Sequence, residues 1–175
     1  HSFPTRRSSD LLATKAGQQG ITTYMMTPDK DYGQLVTDHV FMYRPKYGDK
    51  EFEVMGVEQV KAKFDIQSPV QVIDMLGLMG DASDNIPGCP GVGEKTAQKL
   101  IAEFGSIENL LEHTDQLKGA LKIKVETNRE MITFSKFLAT IKTDVPIKLD
   151  MDALVREHGR SEEHTSELQS PLNLV

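Results

Sequence analysis

Residues 80–93, GDASDNIPGCPGVG, hold four glycines and two prolines, and the chain then runs straight into EKTAQKLIAEF. Glycine admits positive φ and lets another backbone come close, whereas proline fixes φ and removes a donor. So dense a mixture cannot lie inside a helix or a sheet. The stretch behind it places Ala97, Leu100, Ile101 and Phe104 at i, i+3, i+4 and i+7, the stripe of an amphipathic helix, and Gly105 ends it. A rigid irregular loop therefore divides the chain, and its two sides read differently.

Upstream, helix and strand signals alternate. LLATKAGQQG, residues 11–20, reads as the last turns of a helix closed by glycine. ITTYMM (21–26) and HVFMYRP (39–45) are rich in β-branched and aromatic residues and predict strands, with TPDKDYGQLV between them as a loop entering a short helix. KYGDKEFEVM predicts a turn and a short strand. VEQVKAKFD (57–65) carries Val57, Val60 and Phe64 at helical spacing, and Pro69 suits the first turn of a helix over VQVIDMLGLMG. This alternation predicts α/β structure with a parallel sheet. Downstream, from Gly93 to about Lys142, only helices are expected. They include SIENLLEH capped by Ser106, then GALKIKVETN and REMITFSKFLATIK meeting near Asn128. VPIKLD reads as a final strand or extended exit.

Composition narrows the function classes. Of 175 residues, 38% are hydrophobic and 26% charged, which suits a globular chain, and no apolar run approaches the roughly twenty residues of a membrane span. One cysteine excludes an internal disulfide and fits a reducing compartment, so a cytoplasmic location is expected. Cys89 itself reads as a small buried or turn residue. A net charge of −6 argues against a uniformly basic nucleic-acid binder and leaves room for a local basic face.

Two acid pairs and one loop carry the chemistry. Asp29 and Asp31 stand in TPDKD just past a predicted strand, and Asp81 and Asp84 stand in GDASDN just past a predicted helix. Each pair alone is ordinary turn chemistry. Together, four carboxylates repel unless a cation sits among them, and hard oxygen donors suit Mg2+ or Mn2+. Two such ions about 4 Å apart can activate water against a phosphodiester, a task for which four acids are a partial set. In NIPGCPGVGEKTA a rigid hairpin leads into a helix N-terminus, whose free N–H groups can meet an anion. Lys95 and Thr96 stand in the first turn, with Lys99 one turn on, as for a grip on phosphates that reads no bases. The plain alternative is a helix–loop–helix corner with solvated lysines. A nucleotide P-loop is excluded because Glu94, not lysine, follows Gly93.

GDASDNIPGCPGVGEKTA resembles the helix–three-turn–helix segment of the 5′-nuclease (flap endonuclease) superfamily. TPDKD resembles that family's second acidic motif, and LLATKA resembles the residues after its Glu-Ala-Asp-Asp motif. TIKTDVPIKLD resembles the end of the 5′→3′ exonuclease domain that opens a bacterial DNA polymerase. The resemblance runs from about residue 11 to 154. It implies a partial PIN-like parallel-sheet α/β nuclease domain followed by an all-helical helix–three-turn–helix subdomain. It also implies hydrolysis of branched or 5′-ended DNA in replication and repair, with Mg2+ or Mn2+ in a two-ion site of the complete parent. On this footing Asp29, Asp31, Asp81 and Asp84 match catalytic metal-site carboxylates. Gly88, Gly91, Val92 and Gly93 match the hairpin that grips the duplex backbone, often with a monovalent cation such as K+. Lys95, Thr96 and Lys99 match the DNA-facing start of the next helix. The parent would be a bacterial, nucleoid-associated protein, either with a polymerase domain in cis or as a stand-alone exonuclease. A non-catalytic helix–hairpin–helix DNA-binding module is the alternative, but it would need no TPDKD pair and would tend to be basic.

The family's N-terminal acids, its substrate-fraying arch and most of its Glu-Ala-Asp-Asp motif have no counterpart here, and only Asp10 falls where that motif's second aspartate belongs. The two ends, HSFPTRRSSDL and RSEEHTSELQSPLNLV, are polar, serine-rich and without periodicity. They read as disordered tails or, translated back into codons, as a pair of short-read sequencing adapters. The second reading divides the chain at residues 1–11, 12–79, 80–159 and 160–175, and makes the Asp10 match accidental. It further predicts an internal fragment without activity of its own, whose sheet lacks central strands and shows unpaired edges.

Overall fold

The computed structural model describes residues 5–45 and 52–143. A first helix, α1 (Thr5–Gln18), leads through Gly20 at φ 76° into β1 (Thr23–Met26). A 3-10 turn, Lys30–Leu35, lies in the connection to β2 (Val40–Pro45), which pairs with β1 in parallel from Thr23↔Val40 to Met26↔Tyr43. β3 (Phe52–Met55) joins β2 in antiparallel register, Met42↔Met55 to Pro45↔Phe52. The expectation of a parallel sheet is thus corrected for one of the two pairings. The link from β2 to β3 is only residues 46–51, outside the described residues, and so short a link cannot make the crossover that parallel strands need.

Period-two alternation gives the sheet two unlike faces. Met25, Val40, Met42 and Met55 point into the core. On the other face Tyr24 stacks on Phe41 with centroids 5.5 Å apart, and Tyr43 stacks on Phe52 at 4.6 Å. Then comes α2 (Val57–Phe64), which buries Val60 and Phe64 and ends at Asp65 in the left-handed region. Pro69 opens a 3-10 turn, Pro69–Gln71, ahead of α3 (Val72–Met79).

α3 is apolar nearly all round and is buried accordingly: Val72, Met75, Leu76 and Leu78 are wholly inaccessible. Each such side chain contributes roughly 1.5–3 kcal/mol over its exposed state. The helical half is built on it. α4 (Glu94–Phe104) buries the predicted stripe Ala97, Leu100, Ile101 and Phe104. α5 (Ile107–Glu112) is capped by Ser106, whose Oγ accepts from Asn109 N at 3.3 Å. α6 (Gly119–Thr127) and α7 (Arg129–Ala139) meet at Asn128, as the sequence predicts. α7 lies along α3, and Gly77 permits the approach: a Cβ there would stand 2.7 Å from Ile107 Cδ1 and 3.2 Å from Lys136 Cα. One contiguous core runs from Met25 through α3 to Ala139, so packing does not break at residues 79/80. VPIKLD and the C-terminal segment 160–175 lie outside the described residues, and α1 runs without interruption across residues 11/12. Among the described residues no helix is long and apolar enough to cross a membrane.

Candidate metal centre

Two loops at one end of the fold carry the acids. Past β1, Asp29 N donates to Thr27 Oγ1 (3.1 Å), and Asp29 Oδ1 caps the 3-10 turn by accepting from Asp31 N (3.1 Å). The buried Gln34 holds that turn against the helical half: its Nε2 donates to Asp31 O and to Ala139 O, both at 2.9 Å, and its Oε1 accepts from Ile141 N at 2.9 Å. Past α3, residues 81–86 close on themselves, with Asp81 N donating to Ile86 O and Ile86 N to Asp81 O, each at 2.8 Å. Asn85, at φ 55°, makes the reversal.

This brings Asp29, Asp31 and Asp84 together: one carboxylate oxygen from each lies within 4.8 Å of the others. Asp31 Oδ1 is buried and accepts no hydrogen bond among the described residues. Burial first, and then the charges of Asp29, Asp84 and Asp81, push the Asp31 carboxyl up to about 7, against a smaller opposing pull from Lys30. Such crowding costs free energy that a cation removes, and three hard oxygens with one left unsatisfied fit a divalent ion. Asp10 is buried on α1 and stands outside this triplet.

Asp81 is engaged differently. Its Oδ1 accepts from Ser83 N (2.9 Å) and Ser83 Oγ (2.5 Å), and its Oδ2 forms an ion pair with Lys30 Nζ at 2.5 Å. Burial works against the Asp81 charge, but Lys30 and Ser83 outweigh it and hold the carboxyl below its usual value. Sequence reasoning passed over Lys30, because a lysine between two aspartates reads as a solvated charge and nothing local foretells a partner fifty-one positions on.

The hairpin divides into an inner and an outer part. Gly80 (φ 74°) and Gly88 (φ 66°) pass each other backbone to backbone, so a Cβ on Gly88 would collide with the Gly80 main chain. Gly88 N donates to Ser135 Oγ (2.9 Å) on α7, which spends that amide inside the protein; Ser135, fully buried, was not foreseen. Val92 and Cys89 are buried as well, and burial pushes the Cys89 thiol up. Outward lie Gly91 and Gly93, with Gly93 at the N-cap of α4. The amides of Gly91, Gly93, Glu94 and Lys95 donate to no partner among the described residues. Lys95 and Lys99 are exposed and Thr96 is partly so. Lys124, also unforeseen, reaches in from α6 to Gly91 O at 3.4 Å.

Residues 67–162, more than half of the chain, match the family described as 5'-3' exonuclease, C-terminal SAM fold. DNA polymerase I of Bacillus subtilis is 46% identical over 144 residues, covering 82% of this chain and 16% of that protein. DNA polymerase I of Bacillus caldotenax is 44% identical over 142 residues, covering 81% and 16%. The thermostable DNA polymerase I of Thermus thermophilus is 37% identical over 150 residues, covering 84% and 17%. The chain thus spans about a sixth of the length of these curated relatives. Among solved structures, the fold is similar to T5 5'-exonuclease with bound divalent zinc ions, at TM-score 0.64 and 20% identity over 75% of this chain and 49% of that one. It is also similar to a bacteriophage T5 flap endonuclease in a pseudo-enzyme–product complex with DNA and metal ions, at TM-score 0.62 and 22% identity over 75% and 48%. On the family match over residues 67–162, this chain belongs to the 5′-3′ exonuclease family.

Proposed function

We propose that this chain is part of a metal-dependent 5′→3′ exonuclease or flap endonuclease, a phosphodiester hydrolase acting on DNA, from the N-terminal region of a bacterial, cytoplasmic DNA polymerase I with the polymerase domain in cis. We read residues 12–79 as the α/β part and 80–159 as the hairpin-bearing helical part, with α1 continuing the first part N-terminally past residue 12. The observation that carries the reading is the convergence of Asp29, Asp31 and Asp84 around a buried, unsatisfied carboxylate oxygen in a chain of this family.

Mg2+ or Mn2+, when bound, supplies the charge that activates a water and stabilises the leaving oxygen. Asp29, Asp31 and Asp84 would hold the ion. Asp81, pinned by Ser83, flanks them as the fourth acid of the centre. The duplex backbone would lie against the open amides of Gly91, Gly93, Glu94 and Lys95, where the dipole and free donors of α4 favour a phosphate, and the hairpin would be the place for a monovalent cation such as K+. Lys95, Thr96 and Lys99 add the charge and donor that such a contact uses. Gly88 and Val92 serve it from inside, by fixing the hairpin's shape.

The test grafts residues 12–159 into the matching region of Bacillus subtilis DNA polymerase I and follows cleavage of a 5′-flap duplex in Mg2+. Asp84→Asn is expected to lower cleavage about a hundredfold or more while binding of the flap, read by fluorescence anisotropy, changes less than about threefold. Turnover kept in Asp84→Asn at the level of the unsubstituted graft overturns the metal role.

A further inference from the structure

The ion pair between Lys30 and Asp81 stitches together the two loops that carry the acids. One loop follows β1 and the other follows α3, and Lys30 Nζ stands 2.5 Å from Asp81 Oδ2. The four acids therefore fall into two sets. Asp29, Asp31 and Asp84 converge with Asp31 Oδ1 left unsatisfied, while Asp81 Oδ1 is taken by Ser83 and its buried Oδ2 is met only by the Lys30 ion pair among the described residues. Once one divalent ion sits among the first three, one negative charge of that triplet and the charge of Asp81 remain, and Lys30 offsets only one of the two.

The partners of this pair are unequal. The Asp81 side chain is 5% exposed and is held from behind by two donors of Ser83, whereas the Lys30 side chain is 37% exposed. A long flexible lysine with its head near solvent gives up little packing when it swings away. Asp81 would have to break both Ser83 bonds to move.

We propose that Lys30 is a resident counter-cation that holds the place of a second divalent ion on Asp81 and must swing out before that ion binds. The proposal rests on the metal-centre reading of Asp29, Asp31 and Asp84 and adds an order to it. The first ion enters a site that is short of positive charge. The second competes with a tethered ammonium, so the two steps separate in affinity. Lys30 is a positioning residue in this scheme, acting through Asp81.

Calorimetric titration of the DNA-free chain with Mn2+ tests the order, with free Mn2+ followed by electron paramagnetic resonance. The unsubstituted chain is expected to show a tight step and a weak one. Lys30→Met, which removes the charge and keeps the length, should tighten the weak step by about tenfold or more, because it removes a like charge at contact distance. Lys30→Arg keeps the charge and should keep the gap. Asp81→Asn should abolish the weak step and spare the tight one. Circular dichroism of each variant checks that it folds. A weak step unmoved in Lys30→Met, or surviving Asp81→Asn, overturns the role of Lys30 alone. A chain that binds no Mn2+, or whose tight step survives Asp31→Asn, overturns the metal reading beneath it.

Discussion

Asp31 shows how one residue's environment differs from its sequence context. In TPDKD it is one acid of two; in the fold it lies among three other carboxylates with Oδ1 buried and without a donor among the described residues. Its carboxyl is raised to about 7, so the folded metal-free chain holds that proton more tightly than the unfolded chain does. Between about pH 4 and pH 7 the folded state binds the extra proton, and stability falls as pH rises through that window and is flat in this respect above it. Asp31→Asn mimics the protonated form and removes the slope. Urea unfolding without metal is expected to find the variant equal to the unsubstituted chain near pH 4 and more stable by about 1–2 kcal/mol at pH 8, after discount for the solvent around a half-covered group. A difference that does not grow with pH refutes the assignment. Asp81 runs the other way: its carboxyl is lowered, so it stabilises the fold above its unfolded value and that contribution is lost toward acid.

Among the elements, α3 is the hub, and a single acid on it organises its neighbours. Asp74 is buried, yet its Oδ1 accepts from Ile107 N (3.0 Å) at the start of α5 and from Lys136 Nζ (2.6 Å) on α7. Lys136 also donates to Glu108 Oε2 at 2.7 Å. Burial works against the Lys136 charge, but Asp74 and Glu108 outweigh it and raise its affinity for the proton. The two carboxylates are not equivalent, since Asp74 is enclosed and the Glu108 side chain is 64% exposed. Lys136→Met leaves Asp74 charged, buried and short of a cation, and should cost about 3 kcal/mol. Glu108→Gln removes a solvent-screened partner and should cost less than about 0.5 kcal/mol. Urea melts of the two variants check the contrast, and similar losses would show that burial does not decide this network. The same helix carries Gly77 for the approach of α7 and ends at Gly80, where the hairpin passes, so the acid loop and the glycine hairpin are aligned from one rod.

At the scale of the molecule, the outer face of the sheet is one of two exposed apolar surfaces among the described residues, the other being the outer side of α7 with Phe134, Phe137 and Leu138. Tyr24, Met26, Phe52 and Val54 are 55%, 73%, 48% and 46% exposed, and the aromatic stacks join them into one patch with Phe41 and Tyr43. β1 has no further strand beside it among the described residues. A contiguous apolar face next to an open strand edge favours association. The chain is expected to self-associate with rising concentration in sedimentation velocity, and Met26→Lys with Val54→Lys should shift it toward monomer without changing its circular dichroism. A chain monomeric at every concentration would refute this. The family match extends to residue 162, past the last described residue, and the relatives are about six times longer than the segment they share.

Much of this protein is determined locally and is legible in the residues themselves. The stripe Ala97, Leu100, Ile101 and Phe104, the Ser106 cap, the stop at Gly105 and the break at Asn128 all fall where helical periodicity and capping put them, because those signals act within one or two turns. The strands over 23–26 and 40–45 follow from β-branched and aromatic runs in the same way. The two acid pairs were visible as residue types, and so was the hairpin ahead of α4. What the tertiary structure decided is which groups meet. It set Asp84 beside Asp29 and Asp31, gave Asp81 to Lys30 and Ser83, turned the Gly88 amide inward to Ser135, and left the amides from Gly91 to Lys95 open. Those outcomes depend on where α3 lays its two ends relative to β1 and α7, and no pattern within a few residues encodes a distance between chain segments fifty positions apart.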